Sequence, residues 1–184
     1  LGPRLPAGGH VFNLCKDRYW FAVALFASIS RGAISLLQNS TAPQNMAALF
    51  ADYPDAVCVG EHSQPQLAQI PFVPVSSQQA APIGPGFAMP HIGSMQPIAR
   101  IFTSGSTGTP QAHTLRFGRM MGCAVAEAKR MWEVVGQPCV VLGTVPPQHM
   151  FGLEATVLLP IYGGGQLSAE QPFFAADVSN ALQA

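Results

Sequence analysis

Residues 101–110 read IFTSGSTGTP. The apolar pair Ile101-Phe102 delivers the chain into Ser104–Thr109, a run with two glycines and four hydroxyl side chains, closed by Pro110. Glycine at 105 and 108 lets several backbone N–H groups converge on one point, the concave arrangement that grips anionic oxygens. The hydroxyls of Ser104, Ser106, Thr107 and Thr109 can add hydrogen bonds to a phosphate without adding charge. Composition alone favours a plain Ser/Thr/Gly turn. Two specific patterns fail: a Walker loop needs a lysine after Gly108, where Thr109 stands, and no G-x-S-x-G nucleophile elbow surrounds Ser106.

The flanking sequence has the rhythm of an α/β protein. His10 to Leu14 reads as a strand. Asp17 then offers an N-cap, Tyr19 to Ser30 carries a helical apolar pattern, and Gly32 stands where a helix-ending glycine belongs. Ala33 to Leu37 predicts a second strand, Pro43 to Tyr53 a second helix, and Ala56 to Val59 a third strand ended by Gly60. Alternation of this kind builds a mostly parallel sheet flanked by helices. Residues 76–97, rich in Ser, Gln, Pro and Gly, fit no period and read as an irregular connection. Ile98 to Phe102 restarts as a strand. Beyond the loop, Met120, Met121, Ala124, Val125, Ala128, Met131, Trp132 and Val135 fall at helical spacing, stopped by Gly136. Pro138 to Gly143 predicts a strand, Leu153 to Ile161 a helix, Gly163-Gly164-Gly165 a turn, Gln166 to Ser168 a short strand, and Pro172 to Leu182 a last helix.

Bulk composition narrows the function. Of 184 residues, 48% are apolar and only 10% charged, and the net charge is zero. A chain with no basic patch lacks the usual electrostatic footprint of a nucleic-acid binder. Tyr19 to Ile29, the longest apolar run, is too short for a membrane span. Cys15, Cys58, Cys123 and Cys139 stand singly in apolar surroundings, and the expectation is four buried free thiols in a reducing, cytoplasmic compartment. The five histidines show no metal-ligand spacing. The low charge fraction implies that some surface is covered by something further. The chain starts at Leu1 with neither initiator methionine nor signal peptide, and so reads as excised from a longer one.

The order of residues goes beyond composition. Phe102-Thr103-Ser104-Gly105-Ser106-Thr107-Gly108-Thr109-Pro110 resembles the phosphate-binding signature of the adenylate-forming superfamily. That superfamily comprises acyl- and aryl-CoA synthetases, nonribosomal peptide adenylation domains and luciferases. Phe12-Asn13-Leu14 through Phe21, Arg31-Gly32-Ala33 and Leu37 to Pro43 resemble its early segment. Pro146 to Leu153, then Leu158-Leu159-Pro160 and Gly163-Gly164-Gly165, resemble its next motif. The resemblance implies the leading portion of the family's large N-terminal domain, with residues 1–75 as a first βαβαβ segment, 76–97 as a connection and 98–184 as the phosphate-loop segment. It implies ATP-dependent activation of a carboxylic acid as an acyl- or aryl-adenylate, then transfer to a thiol of CoA or an acyl carrier protein. ATP and Mg²⁺ would be required. Thr103, Ser104, Gly105, Ser106, Thr107, Gly108 and Gln111 would hold the ATP phosphates, Thr107 facing the metal-bound oxygens, while His149, Phe151 and Gly152 would line the acyl pocket.

Departures from the family pattern matter as much. Gln111 and Ala112 stand where the family usually has lysine and glycine. Glutamine can hydrogen-bond a phosphate oxygen but brings no charge. Arg116, Arg119, Lys129 and Arg130 are candidates to compensate, each also readable as a solvated helix face. After residue 165 no segment resembles the family's Tyr-Gly-x-Thr-Glu motif, its Thr-Gly-Asp segment or its C-terminal lysine domain, so the fragment by itself is expected to be inactive and to need the remainder of its parent chain. The competing reading is a non-catalytic, degenerate nucleotide-binding or interaction module. A Rossmann dehydrogenase fits poorly, because Gly8-Gly9 precedes the first strand and no G-x-G-x-x-G follows it.

Overall fold

Three four-residue strands set the sheet. His10–Asn13 (β1) pairs in parallel with Ile34–Leu37 (β2) on one side and Val57–Gly60 (β3) on the other. The computed structural model describes residues 1–38, 42–76, 88–103 and 111–183. Phe72–Pro74 (β4) extends the sheet beyond β3, and Pro97–Thr103 (β5) pairs with β2, both in parallel. Gln111–Arg116 (β6) returns antiparallel along β5, giving the order β4-β3-β1-β2-β5-β6. The α/β class and the mostly parallel sheet are as the sequence predicts. Neither β4 nor β6 was legible: β4 has only three residues, and five of the six in β6 are exposed, so no apolar run marks it.

The helices follow from the strand order. The chain steps from β1 to β2 in one direction, then crosses back past β1 to reach β3. Right-handed crossovers in opposite directions place their helices on opposite faces. Arg18–Ser30 (α1) therefore packs on one face, with Phe21, Leu25 and Ile29 against Val11, Leu37 and Val59. Pro43–Asp52 (α2) packs on the other, with Met46 and Leu49 against Phe12, Leu36 and Cys58. Phe12 lies opposite both Leu36 and Cys58 across the strands, so a slip of one residue would carry all three to the wrong face.

Local signals at the helix ends hold. Asp17 accepts a hydrogen bond from the Trp20 N–H at 3.0 Å as the N-cap of α1. Gly32 and Gly136 adopt φ of +69° and +90° where the chain leaves α1 and Phe117–Val135 (α3). The buried stripe of α3 is Met120, Met121, Ala124 and Ala128, facing the α1 side. Val125, Met131 and Val135, also at helical spacing, are exposed.

Two predicted elements differ. The strand expected over Pro138 to Gly143 shrinks to Val140–Val141 (β7), which pairs with Gln166–Leu167 (β8) in a separate two-stranded sheet. The helix expected over Leu153 to Ile161 begins earlier, at Met150–Leu153 (α4), passes through a π-helical turn at Glu154–Leu158 and ends as Leu159–Tyr162 (α5). Pro160 has no N–H for the Thr156 carbonyl and its ring would strike it, which favours the wider turn. Ala175–Ala181 (α6) is the last helix. All four cysteines are free, but only Cys15 and Cys58 are buried; Cys123 is exposed on the outer side of α3 and Cys139 is half-buried. No helix among the described residues is long and apolar enough to cross a membrane.

Candidate functional site

In an open parallel sheet, ligands enter at the carboxyl ends of the strands where the direction of winding reverses. Here that point lies between β1 and β3. A crevice of about 500 Å³ occupies it, lined by Asn13 at the end of β1, Leu14 and Lys16 after it, Glu61, His62 and Gln64 after β3, and Gln38 after β2. Pro146, Gln148 and His149 close it from the loop between β7 and α4. The volume is within the range of small-molecule pockets. Most of its lining residues carry polar groups: one amine, one carboxyl, two imidazoles and several side-chain amides.

Each wall is braced from behind. The Glu61 carboxylate accepts the backbone N–H of Lys16 at 3.1 Å and of Asp17 at 2.9 Å, so it is committed to the entrance of α1. Asn13 is buried, donates to the Phe21 carbonyl at 2.9 Å and accepts from the Cys15 N–H at 3.3 Å. Gln148 spans the two walls, its Nε2 donating to the Cys15 carbonyl at 3.0 Å. Beneath them, burial above all, then the Glu61 and Asp17 carboxylates, push the Cys15 thiol well above its ordinary pKa. Cys58 is pushed up to about 12 by burial. Neither thiol is a nucleophile at neutral pH.

The residues predicted for the site separate into groups. Ser104, Gly105, Ser106, Thr107 and Gly108 lie outside the described residues, with Thr109 and Pro110. Thr103 ends β5 and pairs with Gln111, the exposed first residue of β6. Because β5 runs parallel to β1 and β3, it ends on the same edge of the sheet as the crevice. His149 lines the crevice. Phe151 does not; its side chain is 67% exposed. Gly152 is buried, and a Cβ there would stand 2.1 Å from the Pro146 carbonyl oxygen. Its place is a close contact between α4 and the loop, so it shapes the crevice without lining it.

Of the four basic residues weighed as replacements for a lysine at 111, two approach the hairpin. Arg116 and Arg119 join His113, Ile101 and Met150 around a second hollow of about 360 Å³ beside β5 and β6. Arg116 already donates to the Met95 carbonyl at 2.8 Å. Lys129 and Arg130 lie exposed along α3. Lys16, Glu61, His62, Gln64 and Gln148 were not anticipated as crevice residues. The available signal was position: Lys16 and Glu61-His62 are polar residues directly after the apolar runs of β1 and β3.

Residues 5–183 match the family model described as AMP-binding enzyme, and the chain belongs to that family. No curated protein matches the sequence significantly. Among solved structures, O-succinylbenzoate coenzyme A synthetase from Bacillus subtilis, in complex with ATP and magnesium ion, superposes with a TM-score of 0.74 at 18% identity, covering 97% of this chain and 48% of that one. A malonyl-CoA ligase ternary product complex, with methylmalonyl-CoA and AMP bound, gives 0.76 at 20% identity, covering 99% of this chain and 38% of its own. The adenylation domain of a keto acid-selecting nonribosomal peptide synthetase module, bound to keto acyl adenylate, gives 0.68 at 16%, covering 98% and 35%. The fold is thus that of the N-terminal part of adenylate-forming enzymes. The chain spans less than half the length of these structures.

Proposed function

We propose that this chain is the leading part of the large N-terminal domain of an acid–thiol ligase. The enzyme activates a carboxylic acid with ATP and passes the acyl group to CoA or a carrier protein. The observation that carries the reading is the family match over residues 5–183, and a polar crevice at the winding reversal supports it. The solved relatives hold ATP and magnesium, AMP with an acyl-CoA, or an acyl adenylate. Large apolar side chains left exposed, such as Val134 and Phe173, suit a chain that further parts of its enzyme cover.

The residues present fit a magnesium-bound nucleotide. The crevice is large enough and rich in donors, and its one carboxylate already accepts hydrogen bonds from two backbone amides. In this reading Thr103 to Gly108 and Gln111 hold the phosphates, with the Thr107 hydroxyl toward the metal-bound oxygens. Mg²⁺, when bound, would offset phosphate charge. Backbone N–H groups and hydroxyls of the loop stabilise charge that builds on the departing pyrophosphate. His149, with Phe151 and Gly152 behind it on α4, borders the acyl substrate. Lys16, on the opposite wall, supplies positive charge that the family lysine supplies at position 111.

The test is carboxylate-dependent ATP–pyrophosphate exchange by the full-length protein, with wild type beside Gln111→Lys. Exchange is expected in both, with the lysine variant binding ATP about tenfold more tightly through one added charge-assisted hydrogen bond. Mg·ATP binding without exchange for any carboxylic acid would favour the non-catalytic module, for which the uncharged Gln111 is the specific support.

A further inference from the structure

Arg18 lies in the first turn of α1 with 0% of its surface exposed. No carboxylate among the described residues pairs with it, and burial pulls its pKa below the usual arginine value. A guanidinium there is costly twice over. It is desolvated without a counter-ion, and it sits at the positive pole of its own helix. An apolar side chain of similar size would fill the space at lower cost.

The acceptors explain its presence. One terminal nitrogen, Nη2, donates to the Gly143 carbonyl at 2.9 Å and approaches the Val145 carbonyl at 3.4 Å. The other, Nη1, donates to the Thr156 hydroxyl in the π-helical turn and reaches the Val145 carbonyl at 3.5 Å. The Thr156 hydroxyl donates in turn to the Gly152 carbonyl at 2.5 Å. Among the described residues, only Nε lacks a partner. Every partner therefore belongs to the two segments that flank His149. The fit is close: a Cβ at Gly143 would come 2.6 Å from Cζ of Arg18. On its own side, Arg18 follows directly on the β1–α1 turn, whose residues form the opposite wall of the crevice.

We infer that Arg18 is a positioning residue: its buried guanidinium binds the loop of residues 143–149 and the π-helical turn to the start of α1, and so sets the width of the crevice and the placement of Gln148 and His149. A lysine offers a single ammonium and cannot reach three acceptors on two segments in a planar fork. A methionine fills the volume and makes none of these bonds.

Two measurements on the full-length protein test this, in wild type, Arg18→Met and Arg18→Lys. The first is amide hydrogen exchange. In Arg18→Met, exchange across residues 143–158 is expected to quicken by about tenfold while β1 and β2 stay as protected as in wild type, with Arg18→Lys between the two. The second arm rests on the proposed ligase activity. In pyrophosphate exchange, the KM for the carboxylic acid should rise about tenfold with kcat and the KM for ATP nearly unchanged, and lysine should restore part of the loss. Unaltered exchange over 143–158, or equal loosening of the whole sheet, overturns the inference, as does a fall in kcat with the acid KM unmoved. A wild type without exchange activity sinks the ligase reading and leaves the first arm standing. Should Arg18→Met not fold, Thr156→Val and Gly143→Ala disturb the acceptors with the arginine kept. Both are expected to show the same local loosening, and its absence in both also overturns the inference.

Discussion

The same strands make both ends of the sheet, yet the two ends are built differently. At the amino end the chain is pulled tight. Gly8 and Gly9 take φ of +73° and +71°, Gly8 N–H bonds to the Arg31 carbonyl at 2.8 Å, and His10 pairs with Asp55 at 3.0 Å. At the carboxyl end the loops stand apart around a polar crevice, braced by Glu61, Gln148 and the buried Arg18. The difference teaches where the free energy is placed. The amino end relies on an ion pair that is worth little, its carboxylate being half exposed, whereas the carboxyl end holds buried charge and close backbone contacts that are costly unless the geometry is kept. A binding site needs that second kind of construction.

The contrast breaks most readily at Gly152. Gly152→Ala forces a methyl against the Pro146 carbonyl, with backbone on both sides and no flexible side chain to yield. Urea unfolding should show a loss of about 3 kcal/mol. Gly32→Ala, near the amino end, meets open space and suffers only its positive φ, so about 1 kcal/mol is expected. Equal losses would remove the distinction between the ends.

Alkali should find the carboxyl end next. The folded pKa values of Cys15 and Cys58 are raised above the ordinary 9.0. A raised folded value means that stability is complete below the unfolded thiol pKa and falls as pH climbs towards the folded one. For Cys58 the window runs from about 9 to about 12, with a slope of about 1 kcal/mol per pH unit. Thermal unfolding followed from pH 8 to 11 should show the decline, and Cys58→Ala should make it about half as steep, leaving the part due to Cys15. A wild-type curve level to pH 11 would contradict the burial of these thiols.

Acid acts on the amino end and acts weakly. Partial burial raises the Asp55 pKa, but the hydrogen bond and charge of His10 outweigh it and leave it lowered. A lowered folded value gives stability that is present above the unfolded carboxyl pKa and lost as pH falls through the folded one. The Asp55 carboxylate is half exposed, so Asp55→Asn should cost about 0.5 kcal/mol at neutral pH, less in high salt. A loss as large as that of Gly152→Ala would invert the comparison.

Much of this was legible in the sequence, for identifiable reasons. β1, β2, β3 and β5 are apolar runs that no other element accommodates, and Asp17, Gly32 and Gly136 mark helix ends by side-chain chemistry and by φ. Local signals fail where a partner decides. Gln111–Arg116 becomes a strand because β5 offers an edge to pair with, and Pro138 to Gly143 keeps only Val140–Val141 as strand, where β8 pairs with it. Thr156 enters a π-helical turn through Pro160 four residues later, a detail hidden within an otherwise helical pattern. In the candidate site, His149 was found through its motif, whereas Phe151 shares that motif and faces solvent.

By itself, then, the sequence determined the α/β class, the order of the principal strands and the family to which T-S-G-S-T-G-T-P and its flanking motifs point. These depend on periodicity, capping and motif order, all properties of neighbours along the chain. Only the tertiary structure decided which polar residues meet. Lys16, Glu61 and Gln148 are separated by up to 132 positions, and Arg18 lies 138 positions from Thr156. Winding brings the strand ends to one edge, and the reversal of direction between β1 and β3 opens the space that those residues line.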